Sequence, residues 1–457
     1  MIGEIVMRKY KKKKIMEDFL QLEHNHKDIE QAFLKGNYQQ VQNLLVHCQE
    51  AAIEAGNVIE QDQYKHEDAV KGLEDYCEMV YALAVKTSKY VKQLKYNEAK
   101  HVIQPVRRQM DQCISHVKDY VKNKIEEKLE VAFFPYKASM WDSLESVWMA
   151  AEKDEQCDAY VVPIPYFDKH KDGTVLAMHY EGNEFPEYVP IVHWEDYHVA
   201  ERHPDIIYIH NPYDNTNKVT TVHLDFYAKE LKKHTEMLVY IPYFVCMNDS
   251  VPEHLCVQPG TMYADKVIVQ SEKAREIYIQ EFHKFEEENH CKGYFGCAEE
   301  KFLALGSPKY DKVLCTSKDN VQIPADWAAK IEGKKGERKK ILLYNTSIVV
   351  LLKEKEKALQ KMKAVFALLK DKEDIALLWR PHPFSKETCE SMRPGLMEQY
   401  HEIVETYRKE DWGIYDDTAD LHRAIAISDA YYGDPSSLVE LYRMTGKPIM
   451  IQDVNIV

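Results

Sequence analysis

Two short motifs near the C-terminus carry residue types that can bind phosphate. The first is RPHP at residues 380–383, which follows the apolar run at residues 375–379. The guanidinium of Arg380 can form charge-assisted hydrogen bonds with phosphate oxygens, and the imidazole of His382 can bind phosphate or accept a proton. Because the two prolines restrict the backbone, both side chains lose little entropy on binding. We expect a diphosphate site here; the alternative is a surface loop whose prolines only end a strand.

The second motif is GDPSSLVE at residues 433–440, which lies between an apolar run at residues 430–432 and a helical pattern. A helix start offers unpaired backbone N–H groups, and the hydroxyls of Ser436 and Ser437 add donors for an anion. Asp434 belongs to the same turn. Glu440, one turn into the helix, could accept hydrogen bonds from ribose hydroxyls. An ordinary capping box, formed by Ser437 and Glu440, is also compatible with this pattern.

Two further positions could contribute to chemistry. The turn GSPKYD at residues 306–311 could place Lys309 over a binding cleft, or it could be a plain turn between domains. His210 follows the apolar run at residues 206–209 and precedes the polar turn NPYD. We expect His210 to be an exposed imidazole that faces the cleft and acts as a general base. A structural role is the open alternative.

These motifs need a scaffold that brings strand ends together. From residue 131 onward, short apolar runs alternate with helical patterns, which is typical of parallel βαβ units. The strands of such sheets bind ligands beyond their carboxyl ends. We predict strands at residues 131–136, 159–165, 206–209, 238–245, 266–270, 341–344, 375–379, 412–415, 430–432 and 448–451, and helices at residues 141–151, 353–369, 387–407, 419–427 and 437–444.

Residues 13–129 contain few glycines and prolines, and their apolar residues recur at helical spacing. We predict helices with breaks at residues 36–37 and 56–57. The fold class is therefore α/β, with two Rossmann-like domains preceded by an all-helical N-terminal domain or coiled-coil hairpin. The predicted domains are residues 1–129, residues 130–310 on the acceptor side and residues 311–457 on the nucleotide donor side.

Composition excludes several classes of protein. The net charge of −15 over 457 residues argues against nucleic acid as a partner, because binding to nucleic acid normally needs a basic surface. The ten cysteines form no CxxC pair, which indicates reduced thiols in a cytosol. The group His290, Cys291 and Cys297 lacks a fourth ligand, so we predict no metal. The sequence has neither a P-loop nor a GxGxxG fingerprint, and we predict no cofactor.

The N-terminal segment contains a basic run, RKYKKKK at residues 8–14. It is either a solvated helix start or a surface that contacts anionic lipid headgroups. No apolar run reaches the length of a bilayer-spanning helix, and the first residues lack the pattern of a signal peptide. We expect a cytoplasmic protein, peripheral at the inner face of the membrane if the basic run binds lipid.

The order of these motifs resembles that of the CDP-glycerol glycerophosphotransferase family, the primases and polymerases of teichoic acid, which have a GT-B-like fold. The resemblance covers residues 131–451. It rests on a strand-end histidine (His210), a Gly-x-Pro-Lys-x-Asp turn at residues 306–311, the RPHP strand end, and an Asp-x-Ser-Ser helix start followed by an acid and a Lys-Pro strand at residues 447–448.

The resemblance implies an activity and assigns roles. An acceptor hydroxyl would attack the glycerol-linked phosphorus of CDP-glycerol, and CMP would leave. His210 would be the catalytic base. Arg380, His382, Ser436 and Ser437 would hold the diphosphate, and Glu440 the ribose. The acceptor would be a polyol phosphate or a glycan, including a lipid-linked one, and the helical N-terminus is a candidate surface for self-association.

Two other functions fit the same residues. A GT-B glycosyltransferase with a nucleotide-sugar donor would use the same diphosphate contacts, but the attack would fall on a sugar carbon. A non-catalytic nucleotide-binding or assembly scaffold would have the same fold but would catalyse no transfer. A panel of nucleotides tested for binding and turnover distinguishes the three.

Overall fold

The computed structural model describes residues 6–60, 66–89, 96–170, 172–333, 336–383, 385–386 and 394–455. The chain divides into two compact units. Unit 1 consists of Met1–Val131, Glu152–Ala159 and His203–Ile206, and unit 2 consists of Ala132–Ala151, Tyr160–Arg202 and Ile207–Val457. The domain boundaries expected at residues 129 and 310 stay a prediction.

Unit 1 is built on four long helices among its described residues: α1 (Lys9–Leu34), α2 (Tyr38–Glu60), α3 (Glu67–Lys89) and α4 (Tyr96–Lys124). Helices α1 and α3 each pack against both α2 and α4. Apolar residues at helical spacing, such as Phe19 and Leu22 in α1, are fully buried in the shared core. The predicted helical N-terminal region is confirmed.

One of the two predicted helix breaks is wrong. The break at residues 36–37 is confirmed, because α1 ends at Leu34 and Gly36 has a φ of +69°. At residues 56–57, α2 continues without interruption to Glu60. An added Cβ on Gly56 would meet only one side-chain carbon, Leu73 Cδ1, at 3.8 Å. The small residue therefore lies against α3 inside a continuous helix.

The basic run at residues 8–14 is partly folded into unit 1. Strand β1 (Val6–Arg8) pairs in parallel with the start of strand β2 (Glu126–Phe134), and Arg8 forms a 3.0 Å ion pair with Glu130. Lys12 is buried and donates a 2.7 Å hydrogen bond to the carbonyl of Ile125. Lipid contact by this run stays a prediction.

The first sheet has the strand order β1-β2-β6-β8-β9-β10, in which β3 also pairs with β2. Pairs β8–β9 and β9–β10 are parallel. Strand β2 begins in unit 1 and ends in unit 2, as does β3. The bounds of the other strands are β3 (Cys157–Val161), β6 (Ile206–Ile209), β8 (Met237–Tyr240), β9 (Lys266–Val269) and β10 (Phe302–Ala304). A small antiparallel sheet has the order β5-β4-β7, with β4 (Tyr166–Lys169), β5 (Val175–His179) and β7 (Thr220–Val222).

The second parallel sheet has the strand order β13-β12-β11-β14-β15. Its core consists of aliphatic and aromatic side chains on both faces, which is typical of a parallel sheet covered by helices. The strands are β11 (Lys340–Thr346), β12 (Ile375–Pro381), β13 (Ile414–Tyr415), β14 (Ala430–Gly433) and β15 (Ile449–Ile451).

Helices connect the strands of unit 2. The predicted helix at residues 353–369 is two helices, because Lys355 adopts a φ of +52°. The predicted helix at residues 141–151 is a 3₁₀ turn, Ala138–Ser143, followed by α5. Part of the prediction at residues 387–407 lies outside the described residues. The helices are α5 (Glu145–Lys153), α6 (Val199–Arg202), α7 (Ala228–Leu231), α8 (Glu253–Cys256), α9 (Pro259–Tyr263), α10 (Glu272–Glu288), α11 (Ala298–Lys301), α12 (Pro308–Cys315), α13 (Ala325–Ile331), α14 (Ile348–Glu354), α15 (Glu356–Leu369), α16 (Pro394–Glu410), α17 (Leu421–Ile427) and α18 (Ser437–Arg443).

The fold class predicted from the sequence is confirmed: the chain is α/β, with two Rossmann-like parallel sheets that follow a helical N-terminal region. Across the described ranges, no helix combines the length and the apolar character needed to cross a membrane.

Candidate functional site

The second sheet has a topological switch point between β11 and β14. From β11 the chain proceeds to β12 and β13 on one side of the sheet, and then returns to β14 and β15 on the other side. In open α/β sheets, ligands bind in the crevice outside the carboxyl ends of the strands at such a point. The carboxyl end of β14 leads directly into Asp434–Ser437, so the second motif lies at the switch point.

Gly433 allows the end of β14 to lie against β11. A Cβ at this position would lie 2.2 Å from the carbonyl oxygen of Asn345, a distance that no side chain tolerates. The backbone N–H of Asp434 donates a 2.9 Å hydrogen bond to the same oxygen. The glycine is therefore required for the close approach of the two strands, and with it for the position of the turn.

The side chain of Asn345 ties three strand ends together. Its amide nitrogen donates to the carbonyl of Arg380 at 2.9 Å, and its amide oxygen accepts from the hydroxyl of Ser436 at 3.1 Å and from that of Tyr431 at 3.3 Å. Asn345 is not among the site residues predicted from the sequence. The available signal was a polar residue that directly follows the apolar run at residues 341–344.

Asp434 is buried and has a structural role. Its carboxylate accepts hydrogen bonds from the backbone N–H of Ser347 at 2.6 Å and from the side chain of Gln452. Burial raises the pKa of the Asp434 carboxyl, and these hydrogen bonds oppose that rise. We expected Asp434 to bind the donor, but in the structure its carboxylate holds the turn against β11.

Ser436 and Ser437 differ in exposure. Ser436 is half-buried and donates its hydroxyl hydrogen to Asn345, whereas Ser437, the first residue of α18, is exposed. The structure shows no capping hydrogen bond from the Ser436 side chain. The hydroxyl of Ser437 is thus on the surface at the switch point, where a ligand can reach it.

Arg380 is buried, and its charge is compensated within the chain. The guanidinium forms an ion pair with the fully buried carboxylate of Asp416 and donates a 2.8 Å hydrogen bond to the carbonyl of Thr418. This corrects the expectation that the side chain is aimed at a ligand. Arg380 instead joins the end of β12 to the loop after β13.

His382 is exposed at the same edge of the sheet. Its backbone N–H donates a 2.9 Å hydrogen bond to Thr346, the last residue of β11. Burial of part of the ring, and the nearby charge of Arg380, lower the pKa of the imidazole. At neutral pH the ring is therefore largely unprotonated and can accept a proton.

Glu440 is engaged in another contact. Its carboxylate accepts a 2.7 Å hydrogen bond from the backbone N–H of Asn248. It also accepts a 3.1 Å hydrogen bond from the guanidinium of Arg443. Asn248 and the next residue, Asp249, both have positive φ values, of 53° and 58°. In the structure this carboxylate therefore holds a loop with left-handed backbone, and the expected contact of Glu440 with ribose stays a prediction.

Lys309 also has an internal partner. Its ammonium nitrogen lies 2.6 Å from both carboxylate oxygens of Asp142, and His422 Nε2 lies 2.7 Å from one of them. Burial tends to raise the pKa of the Asp142 carboxyl, but the charge of Lys309 and the hydrogen bond from His422 lower it well below its ordinary value. The expectation that Lys309 lies open over a cleft is wrong.

His210 lies at the switch point of the first sheet but is fully buried. Nε2 accepts a 3.0 Å hydrogen bond from the backbone N–H of Tyr136, and Nδ1 lies 3.0 Å from the hydroxyl of Ser143. Because Nε2 accepts, the proton belongs on Nδ1. Burial lowers the pKa of the imidazole to about 3. The expectation of an exposed imidazole is wrong. The neutral ring of His210 instead joins the end of β6 to the segment that follows β2.

The structure thus brings part of the expected site together. His382, Ser436 and Ser437 lie at the carboxyl edge of the second sheet, with Arg380, Asp434 and Asn345 supporting them. Lys309 lies with Asp142 and His422, and His210 lies in the first sheet. Within the described part of the chain, no group of three or more His, Cys, Asp or Glu could hold a metal ion.

Comparison with known proteins identifies neither a family model nor a curated protein that matches the sequence. Among solved structures, a Listeria monocytogenes protein described as a UDP-N-acetylglucosamine 2-epimerase is 14% identical, with a TM-score of 0.44 over 71% of this chain and 79% of that one. UDP-GlcNAc 2-epimerase from Neisseria meningitidis is 9% identical, with a TM-score of 0.41 over 71% and 82% of the two chains. The wall teichoic acid polymerase TagF is 14% identical, with a TM-score of 0.38 over 85% and 80%. Similarity at this level carries no argument about activity.

Proposed function

We propose that the protein is a nucleotide-dependent transferase that moves a glycerol-phosphate, or a related alditol-phosphate, group from a CDP-linked donor to an acceptor hydroxyl. The observation that carries this proposal is the position of the GDPSS turn at the switch point between β11 and β14. A crevice of this kind is where a doubly wound sheet binds a nucleotide.

In this proposal the donor diphosphate contacts the hydroxyl of Ser437 and the ring of His382. The hydroxyl of Ser436 contacts the diphosphate only if its hydrogen leaves Asn345 for a phosphate oxygen. Arg380 and Asp434 position these groups rather than binding the donor directly. A buried ion pair such as Arg380–Asp416 fixes the end of β12, and the hydrogen bonds of Asp434 fix the turn after β14. Binding then needs little rearrangement, which favours affinity.

In the proposed reaction the protein positions the donor and the acceptor, and a side chain accepts the proton of the acceptor hydroxyl. The acceptor oxygen attacks the glycerol-linked phosphorus, the bond from that phosphorus to the bridging oxygen breaks, and CMP leaves with the electron pair. We assign the acceptor proton to His382, because that ring is exposed and its pKa is lowered. His210 is less suited, since its ring is fully buried and an acceptor cannot reach it.

A thermal-shift panel tests the proposal, with CDP-glycerol, CDP-ribitol, CDP-choline, UDP-sugars and CMP as ligands, followed by assays of nucleotide release. We expect stabilisation by CDP-alditols, and CMP release when a polyol-phosphate acceptor is added. Stabilisation by UDP-sugars alone, with release of UDP, would instead establish the glycosyltransferase alternative. Binding without release for every pair of donor and acceptor would establish a scaffold, and no binding at all would refute a nucleotide site.

A further inference from the structure

Lys137 lies at the switch point of the first sheet. It follows β2, the strand from which the chain goes to β3 on one side and to β6 on the other. The segment after β3 hydrogen-bonds to the end of β2, from Val162 N–H to the Phe133 carbonyl at 2.9 Å. On the other side, Tyr136 bonds to His210 after β6. By the rule that locates the nucleotide crevice in the second sheet, this is the ligand-binding edge of the first sheet.

The ammonium group of Lys137 lies against aromatic rings instead of a carboxylate. It is 4.8 Å from the ring centre of Tyr166 and 5.8 Å from that of Tyr136. Within the described ranges, no acidic side chain forms an ion pair with it. The carboxylate of Glu181 accepts from the Ala138 N–H at 2.8 Å and from the Tyr166 hydroxyl at 2.7 Å. The half-buried ammonium group therefore lies against aromatic rings and forms no ion pair with a carboxylate of the described residues.

The surroundings of Lys137 suit a ligand with hydroxyl groups. Ring contacts lead from Tyr136 to His210 at 5.4 Å and on to Tyr243 at 6.3 Å, and the hydroxyl of Tyr243 lies 3.4 Å from that of Tyr213. Tyrosine rings can cover the C–H face of a polyol while their hydroxyls exchange hydrogen bonds with it. A phosphate could form with the ammonium group the ion pair that no described carboxylate forms.

The backbone before Lys137 is held in place. The N–H of Tyr136 is fixed by the neutral ring of His210, and Nδ1 of that ring is fixed by Ser143, which also bonds to the carbonyl of Met140 at 2.7 Å. These bonds brace both ends of the segment that carries Lys137. The buried ring of His210 therefore positions the segment that carries Lys137. This role was not predicted from the sequence.

From these contacts we infer that Lys137 belongs to a phosphate-binding subsite at the carboxyl edge of the first sheet. This subsite binds the phosphate of a polyol-phosphate acceptor. This inference rests on the proposed transferase function for the identity of its ligand. The subsite itself can be tested without a donor, so the two can fail separately.

The test uses sn-glycerol 3-phosphate as the probe, with glycerol and inorganic phosphate as partial analogues. Binding is measured by calorimetry or ligand-observed NMR for the full chain and for Lys137→Ala, Lys137→Arg and Lys218→Ala. Lys218 is an exposed lysine of unit 2 outside the subsite and serves as the matched control. We expect Lys137→Ala to weaken binding of glycerol 3-phosphate by about ten- to a hundredfold, as for loss of a charge-assisted contact.

The controls complete the test. Lys137→Arg should retain most of the affinity, and glycerol should bind more weakly than glycerol 3-phosphate. The inference is overturned if the wild-type protein does not bind glycerol 3-phosphate, if Lys137→Ala binds it equally well, or if Lys218→Ala loses as much. If no nucleotide binds while binding of glycerol 3-phosphate depends on Lys137, the proposed transferase fails and the phosphate subsite stands.

Discussion

Lys309 and Asp142 form a close ion pair across 167 positions of the sequence, with the ammonium nitrogen 2.6 Å from each carboxylate oxygen. Both side chains are about nine-tenths buried. The same carboxylate accepts a hydrogen bond from His422. One acidic residue in the turn after β2 therefore joins the start of α12 to the start of α17, and so links elements that follow both parallel sheets.

Removal of Lys309 should destabilise unit 2. In Lys309→Met, Asp142 stays buried with only the hydrogen bond from His422, and the loss of its ion pair should lower the free energy of unfolding by about 3 kcal/mol. Chemical denaturation measures the change. The control is Lys370→Ala, which breaks the surface pair with Glu410 and should cost less than about 1 kcal/mol. Equal losses in the two variants would contradict this account of the buried pair.

The strands could be predicted from the sequence, but the contact partners of residues such as Lys309 could not. Strand β6 was predicted with the correct bounds, because an apolar run between polar turns is a local signal. The contact of Lys309 with Asp142 depends on which of 75 acidic residues the fold brings close, and no local pattern encodes that choice. The same holds for Arg380 with Asp416 and for Glu440 with Asn248. The motifs were located correctly along the strands, whereas the directions of their side chains were not.

The buried ring of His210 should make folding sensitive to acid. Its folded-state pKa is about 3, below the ordinary value of 6.5, so between these values the unfolded chain binds the additional proton. The contribution is fully present above pH 6.5 and is lost as pH falls, by up to about 1.4 kcal/mol for each pH unit. In His210→Gln the amide oxygen can still accept from Tyr136, but the group does not titrate. Free energies of unfolding at pH 7 and pH 5 should therefore differ less in this variant than in the wild type; an unchanged difference would contradict the assignment.

Gly433 should be intolerant of any side chain. The methyl group of Gly433→Ala would meet the Asn345 carbonyl, so β14 must move away from β11, which displaces Ser436 and Ser437. We expect a loss of at least about 2 kcal/mol of stability, together with loss of nucleotide binding. Gly395→Ala is the control, since an added Cβ there has no neighbour within 4 Å. Thermal denaturation with and without CMP measures both effects.

Ser437 and Arg380 should affect nucleotide binding in different ways. Ser437→Ala removes an exposed hydroxyl, so the melting temperature should stay unchanged while the Kd for CMP or CDP-glycerol rises by about tenfold, as for a lost hydrogen bond to a charged group. Arg380→Ala leaves Asp416 buried and unpaired, so the protein should be destabilised by about 3 kcal/mol even without ligand. Calorimetry at a temperature where both variants are folded separates binding from stability. A Ser437→Ala variant with wild-type affinity would remove that residue from the donor site.

His382 should be the base that controls the acid limb of the rate profile. A positioned general base contributes about 10² to 10⁴ in rate, so His382→Gln should lose most CMP release. The Kd for the donor should change much less, because the Gln amide can still donate a hydrogen bond to the diphosphate. The base must be unprotonated, and the pKa of His382 lies below its ordinary value because of burial and the nearby charge of Arg380. Activity of the wild type should therefore persist somewhat below pH 6.5 and then decline as pH falls through that pKa.

The residual activity of His382→Gln should lack this acid limb of the rate profile. His210→Gln should retain it, since the pKa of His210 lies near 3, outside the range where the decline is expected. An acid limb that survives in His382→Gln and disappears in His210→Gln would return the role of the base to the first sheet.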